Sequence, residues 1–238
     1  MCKKKPASKS SQISSNRSFS IPKEKRDYFV RKIREWGREN YVHYPWRAED
    51  NIFIILLTEI LLQQTDSQKI KKFYPLIKSF TSPREVLKNR DTLDHIISKI
   101  GLNYRKERIL YLSRQILEEF KGKMPTEYKK LRQLKGVGDY IANAVLLFGF
   151  NKRAAIVDTN TISIIESFFG CRSPLKRPRE DRGLNEILLG MLPLKKYAVF
   201  SYYLLDFGAA VCVKSKNKCG KCLLKRRCHY YIISSHGI

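Results

Sequence analysis

Four cysteines, Cys212, Cys219, Cys222 and Cys228, fall in one short segment with the spacing C-x6-C-x2-C-x5-C. Thiolates are soft ligands that select zinc or iron-sulfur clusters over hard cations. Structural zinc sites commonly pair two C-x2-C knuckles, whereas this segment holds a single C-x2-C with one cysteine far to either side. The spacing therefore favours a [4Fe-4S] cluster, with zinc, disulfides or unpaired thiols as the alternatives. Cys2 and Cys171 stand apart and read as a tail thiol and a structural cysteine.

Among those cysteines lie Lys214, Lys216, Lys218, Lys221, Lys225, Arg226 and Arg227, and the whole chain is equally basic. Its 47 Lys and Arg against 22 Asp and Glu give a net charge of +25 over 238 residues. Such an excess points to a nucleic acid as partner, with Lys221, Arg226 and Arg227 as expected phosphate contacts.

Two carboxylates carry a different chemistry. Glu59 sits inside the most apolar run of the chain, Ile52 to Leu62. An apolar setting raises a carboxyl pKa and keeps a proton available for general acid catalysis. Asp158 follows Ala155-Ile156-Val157 and stands where a helix N-cap would stand, a role worth about 1 kcal/mol. Between them, Gly136-Val137-Gly138 separates two helical segments in LRQLKGVGDYIANAVLLFGF. Glycines there permit positive φ and close approach of another backbone. The helix starting near Asp139 aims its free N–H groups outward, which suits a phosphate.

These groups need a scaffold, and the periodicity supplies helices. Phe29, Ile33 and Trp36 recur at helical spacing in KEKRDYFVRKIREWGREN. Further helical patterns run over Asn51 to Gln64, Ser67 to Phe80, Pro83 to Ile100, Arg105 to Phe120 and Glu127 to Leu134, separated by short Gly, Pro, Asn or Ser breaks. Alternating strand patterns are essentially absent, so the expected class is all-α. Residues 1–22 read as a flexible basic arm without the apolar stretch of a secretory signal. The run Ile52 to Leu62 is too short to span a bilayer, so no membrane association is expected. Reduced thiols make the reducing cytoplasm, in contact with the nucleoid, the expected compartment.

The conjunction of Tyr44-Pro45-Trp46-Arg47, TEILLQQT (Thr58 to Thr65), LKGVGDYIANAV, VDTN and the cysteine spacing resembles the helix-hairpin-helix DNA glycosylases of the endonuclease III superfamily. The resemblance runs from about Tyr44 to Cys228. It implies a helical barrel lobe at residues 45–157, carrying the helix-hairpin-helix at 127–149. A cluster-side lobe built from 23–44 plus 158–211 and a cluster loop at 212–228 complete the implied fold, with a DNA-binding cleft between the lobes. The implied activity is excision of a flipped-out base, with Asp158 as the catalytic carboxylate and the turn Gly136, Val137 and Gly138 on the DNA backbone.

Hydrolysing an N-glycosidic bond builds positive charge on the sugar. A carboxylate about 4 Å away at an effective dielectric near 20 stabilises that charge by roughly 4 kcal/mol. The rest must come from orienting the water, departure of the base and unstacking of the nucleotide. Glu59 is the candidate acid.

Departures from the family pattern narrow the subtype. The lyase branch carries a lysine two residues after the second turn glycine, and this chain has Tyr140 there, so a monofunctional glycosylase is expected. Tyr140 is also the residue that mismatch thymine and uracil glycosylases hold against the flipped pyrimidine. Gln63-Gln64, by contrast, is the wording of the adenine glycosylases, in which a glutamine wedges into the gap left by the base. The adenine branch shows two tyrosines after GLG, whereas this chain reads Gly101-Leu102-Asn103-Tyr104-Arg105 and ends ten residues after Cys228. The expectation is a monomeric enzyme acting on double-stranded DNA with thymine or uracil opposite guanine, with Gln63, Gln64 and Arg105 among its DNA contacts. A short adenine glycosylase is the rival enzyme, and a catalytically silent DNA-binding module is the rival from another class.

Overall fold

The computed structural model describes residues 20–101, 103–213 and 218–235. Most of the expected N-terminal arm, Leu102, Lys214 and Lys216 lie outside the described residues.

Every regular element among the described residues is helical. In chain order they are α1 (Lys23–Asn40), α2 (Ile52–Leu62), α3 (Ser67–Lys78), α4 (Pro83–Lys88), α5 (Arg90–Ile100), α6 (Tyr104–Glu119), α7 (Tyr128–Gln133), α8 (Asp139–Ala144), α9 (Thr159–Phe169), α10 (Arg182–Met191), α11 (Tyr197–Ala210) and α12 (His229–Ser235). The chain forms two compact units: His43–Ala154 is one, and the described parts of Met1–Val42 and Ala155–Ile238 form the other.

The inner unit is organised around α2. Asn51 caps it by accepting from the amides of Phe53 and Ile54. Every residue from Phe53 to Leu61 is buried. A helix that is apolar on all sides must sit at the centre of its unit, and α3, α8 and a single π-helical turn at Val145–Gly149 pack around it. Each fully buried Leu, Ile or Phe contributes about 1.5–3 kcal/mol, so this burial fixes α2 and with it the backbone of Glu59.

One expected helix divides. The pattern over Pro83 to Ile100 forms α4 and α5, broken at Asn89, whose backbone (φ −108°, ψ 52°) leaves the helical region. Its side-chain amide donates to the Glu85 carbonyl, giving the backbone the local alternative that makes Asn a helix stop.

In the second unit α1 lies along α11, and α9 packs on both α11 and α12. Phe29 and Ile33 of α1 meet Phe168 and Phe169 of α9 and Phe200 and Phe207 of α11 in one core. Ala155 and Val157, expected in the barrel lobe, belong to this core instead. At Gly208 a Cβ would stand 2.5 Å from Cβ of Asn160, so only glycine lets α11 approach the first turn of α9 this closely. Asp158 immediately precedes that turn.

Candidate functional site

In the inner unit, Glu59 is 5% exposed and its Oε2 has no hydrogen-bond partner among the described residues. Burial pushes its pKa from 4.5 up to about 7. A hydrogen bond from Tyr140 and the nearby charge of Arg47 pull the other way and are outweighed. Near neutral pH this carboxyl is therefore balanced between acid and base, a poise that suits proton transfer. Arg47 is held by its own neighbours: its guanidinium lies 5.1 Å over the Tyr44 ring, which stacks on Trp46 at 4.5 Å. The Tyr44 hydroxyl meets Ser67 Oγ at 2.8 Å.

The expected glycine turn joins α7 to α8. Gly136 takes φ +82°, a left-handed backbone that calls for glycine, and the Arg108 side chain lies over it, 2.2 Å from where a Cβ would stand. Gly138 is extended (φ −83°, ψ −179°), and a Cβ there would meet open space. The two glycines thus differ: one shapes the turn and the other leaves room outside it. Val137 donates its amide to Leu134 O, and Lys135 donates its amide to Gln115 of α6. The amides of Gly136 and Gly138 have no partner among the described residues. Arg132 ties the turn to α8 by pairing with Asp139 at 2.6 Å and donating to Val137 O.

Gln63 and Gln64 follow α2 directly. Gln63 is half-buried and Gln64 exposed, the latter with φ 56°. Arg105 requires a correction. It was expected to touch DNA, but it is only 1% exposed, and its Nη1 donates at 2.7 Å to both Leu61 O and Thr65 Oγ1. A guanidinium so enclosed does not reach a phosphate. Arg105 lies on the buried face of α6 with Ile109, Leu112 and Ile116.

In the second unit Asp158 caps α9 through a reciprocal capping box: its Oδ1 accepts from Thr161 N at 2.8 Å, and its own N–H donates to Thr161 Oγ1 at 2.9 Å. Burial raises its pKa, against the hydrogen bonds from Thr161 and the charge of Arg179. Arg179 in turn donates to Thr159 Oγ1 at 2.7 Å. A hydrogen bond from the Asn160 backbone also lowers the Asp158 pKa.

Cys212, Cys219, Cys222 and Cys228 are free thiols lining one cavity of about 860 Å³, together with Ser163, Ser167 and other residues of α9 and α12. Burial pushes Cys222 up to about 11 and raises Cys212 and Cys228, so they stay protonated at neutral pH until a metal displaces the proton. Cys228 lies 3.3 Å from Ser167 O. Among the described residues no three His, Cys, Asp or Glu converge on a single-ion site. Four thiols on one cavity form the donor set of a thiolate-ligated metal centre. Around it Lys221, Arg226 and Arg227 are exposed, and Arg227 lies 4.9 Å over the ring of Tyr28, whose hydroxyl donates to Leu223 O.

No protein-family model matches the chain. The thymine/uracil-DNA glycosylase of Methanothermobacter thermautotrophicus is 33% identical over 210 residues, covering 87% of this chain and 95% of that protein. The chain belongs to the helix-hairpin-helix DNA glycosylases. A solved structure of a thermostable thymine-DNA glycosylase superposes with a TM-score of 0.81 at 32% identity, over 88% of this chain and 97% of that one. An adenine DNA glycosylase of Buchnera aphidicola is 28% identical over 207 residues, which cover 84% of this chain and 58% of that protein.

The glycosylase is an enzyme that hydrolyses N-glycosidic bonds, and DNA is its substrate. Several side chains around its sites escaped the sequence reading. Arg108 of α6 covers Gly136 while stacking 5.1 Å over Tyr104. Arg179 modulates Asp158 from 21 residues downstream. No local motif marks either residue, since each is brought in by tertiary packing. Among the described residues of the glycosylase, no helix is long and apolar enough to cross a membrane.

Proposed function

We propose that the chain is a monofunctional glycosylase that removes thymine or uracil mispaired with guanine in double-stranded DNA. The observation that carries this reading is its similarity, over 95% of that protein's length, to a relative named for thymine and uracil. Tyr140 supports it: an aromatic phenol, half-buried and hydrogen-bonded to Glu59, can lie against a flat pyrimidine.

Asp158, ionised, stabilises the cation that develops on the sugar as the C1′–N bond breaks and its electron pair leaves with the base. One of its oxygens is fixed by Thr161 and the whole group by α9, so the charge is pre-oriented. Water adds to C1′ and its surplus proton goes to solvent or to the departing base. Glu59 holds a proton near the base and donates a hydrogen bond that favours departure, while Tyr140 holds that carboxyl and lies against the ring. No amine stands at position 140 to attack C1′, so the product is an intact abasic site.

The turn Gly136-Val137-Gly138 receives a DNA phosphate on the free amides of Gly136 and Gly138, with Val137 N held on Leu134 O, and Gln63 and Gln64 enter the space the flipped base vacates. Lys221, Arg226 and Arg227 add phosphate contacts. Cys212, Cys219, Cys222 and Cys228 would hold a [4Fe-4S] cluster, which the ring of four free thiols fits. Bound there, the group supplies a rigid crosslink that orders the basic segment. The enzyme acts as a monomer in the cytoplasm, on the nucleoid.

One observation favours a second reading, a short adenine glycosylase. Gln63-Gln64 is that branch's wording, and a carboxyl with pKa about 7 is suited to protonating adenine. A panel of duplexes with guanine opposite thymine, uracil or adenine, and 8-oxoguanine opposite adenine, decides. Release of thymine and uracil, with strand breaks only after alkali, is the expected result. Release of adenine alone overturns the substrate.

A further inference from the structure

Arg105 is a buried cation without a carboxylate partner among the described residues. Such a charge is costly to desolvate and must be held by what it binds. What it binds is the end of α2 and the turn beyond. Leu61 O belongs to the last turn of α2, whose carbonyls have no intrahelical donors. α2 has no basic residue of its own there, so the guanidinium from α6 supplies the cation that a helix C-terminus favours. The second acceptor, Thr65 Oγ1, closes the turn from its far side, where Thr65 N also donates to Leu62 O at 3.2 Å.

Between these two anchors lie Gln63 and Gln64. Gln64 adopts φ 56°, a left-handed backbone that a glutamine keeps only when its surroundings over-determine it. Its side chain is nonetheless exposed. We propose that Arg105 is a positioning residue: by holding Leu61 and Thr65 together it imposes the strained backbone that presents Gln64 to DNA. The inference rests on the proposed entry of Gln63 and Gln64 into the duplex. It assigns to Arg105 a part in base extrusion that it performs without touching DNA.

Nη1 carries two N–H groups, one for each acceptor, at the end of a stem longer than that of lysine. Lysine, a shorter point charge, satisfies one and releases the other.

The test uses the full-length holoprotein and duplexes carrying 2-aminopurine beside the target mismatch, whose fluorescence reports unstacking. Arg105→Lys, Thr65→Val, Gln64→Ala and the Arg105→Lys/Gln64→Ala double variant are compared. Each single variant is expected to lower the fluorescence rise and the single-turnover excision rate by about tenfold. Affinity for undamaged duplex stays within about threefold, because the phosphate contacts lie elsewhere. The double variant should be no worse than Gln64→Ala alone, since both changes remove one function. Losses that multiply in the double variant overturn the inference. So does a Thr65→Val variant with wild-type flipping, which also decides the matter should Arg105→Lys fail to fold. A Gln64→Ala variant with full flipping instead overturns the reading of the glutamines on which the inference rests.

Discussion

Tyr140 donates a hydrogen bond to the buried carboxyl of Glu59, yet Glu59 still titrates at about 7 because burial outweighs both that bond and the charge of Arg47. The phenol therefore acts as a brake on an otherwise larger rise. Removing it frees the carboxyl to hold its proton to higher pH.

If protonated Glu59 assists departure of the base, single-turnover excision falls as pH rises through about 7. In Tyr140→Phe that descending limb should move to higher pH, because a bond favouring the ionised form is lost. A pH–rate profile between about 5.5 and 9 reads it, and a limb that stays in place would separate Tyr140 from Glu59. Stability carries the same signature. The carboxyl is neutral and without cost below about 4.5, and the cost grows as pH rises to about 7, reaching roughly 3 kcal/mol. Glu59→Gln should accordingly match the wild type in urea at about pH 4.5 and exceed its stability at about pH 8.

Asp158 is both a cap and a charge, and two substitutions separate the roles. Asparagine still accepts from Thr161 N, so Asp158→Asn should unfold within about 0.5 kcal/mol of the wild type while losing excision. Asp158→Ala loses both, with a stability cost of about 1 kcal/mol. Thermal denaturation and a single-turnover assay on the same preparations check it. Retained excision in a folded Asp158→Asn would leave only the cap.

The sequence showed most clearly those features that a short stretch determines. Ile52 to Leu62 could only be a buried helix, and the direction of Glu59's pKa followed from its neighbours. Asn89 escaped because one side-chain bond to Glu85 O outweighs an otherwise continuous apolar period. The burial of Arg105 depends on which face of α6 turns inward, which no neighbouring residue reveals. The pairing of Tyr140 with Glu59 and of Arg108 with Gly136 joins residues distant in sequence, and no local pattern encodes it.

Lys221→Ala, Arg226→Ala and Arg227→Ala combined should weaken binding to every duplex alike. The slope of log affinity against log salt should fall by about 0.9 for each phosphate that is no longer neutralised. Arg227 also stacks on Tyr28, so its substitution alone should loosen the segment, and Tyr28→Leu should reproduce that part. Filter binding at several salt concentrations measures it. In the same preparations about four irons per chain and broad absorbance near 400 nm are expected, and one zinc per chain in active, colourless protein would refute the cluster.

With tyrosine at position 140, borohydride should trap no covalent adduct between enzyme and DNA. Strand breaks should need alkali or heat. A trapped adduct in the wild type would mean that another amine reaches the sugar.

Glu59→Gln also separates the two candidate substrates, because their leaving groups differ. Adenine departs readily only once its ring is protonated, whereas thymine or uracil can leave as an anion held by hydrogen bonds. Glutamine at position 59 keeps a hydrogen-bond donor but cannot give up a proton. For a pyrimidine glycosylase the loss in single-turnover rate should be modest, about tenfold, since the donated bond survives. For an adenine glycosylase general acid catalysis is worth on the order of a hundredfold or more, and the variant should be nearly silent. Comparing the variant and the wild type on guanine opposite thymine, uracil and adenine therefore tests mechanism and specificity together. A collapse on thymine as deep as on adenine would show that Glu59 transfers its proton even to a pyrimidine, contrary to departure as the anion.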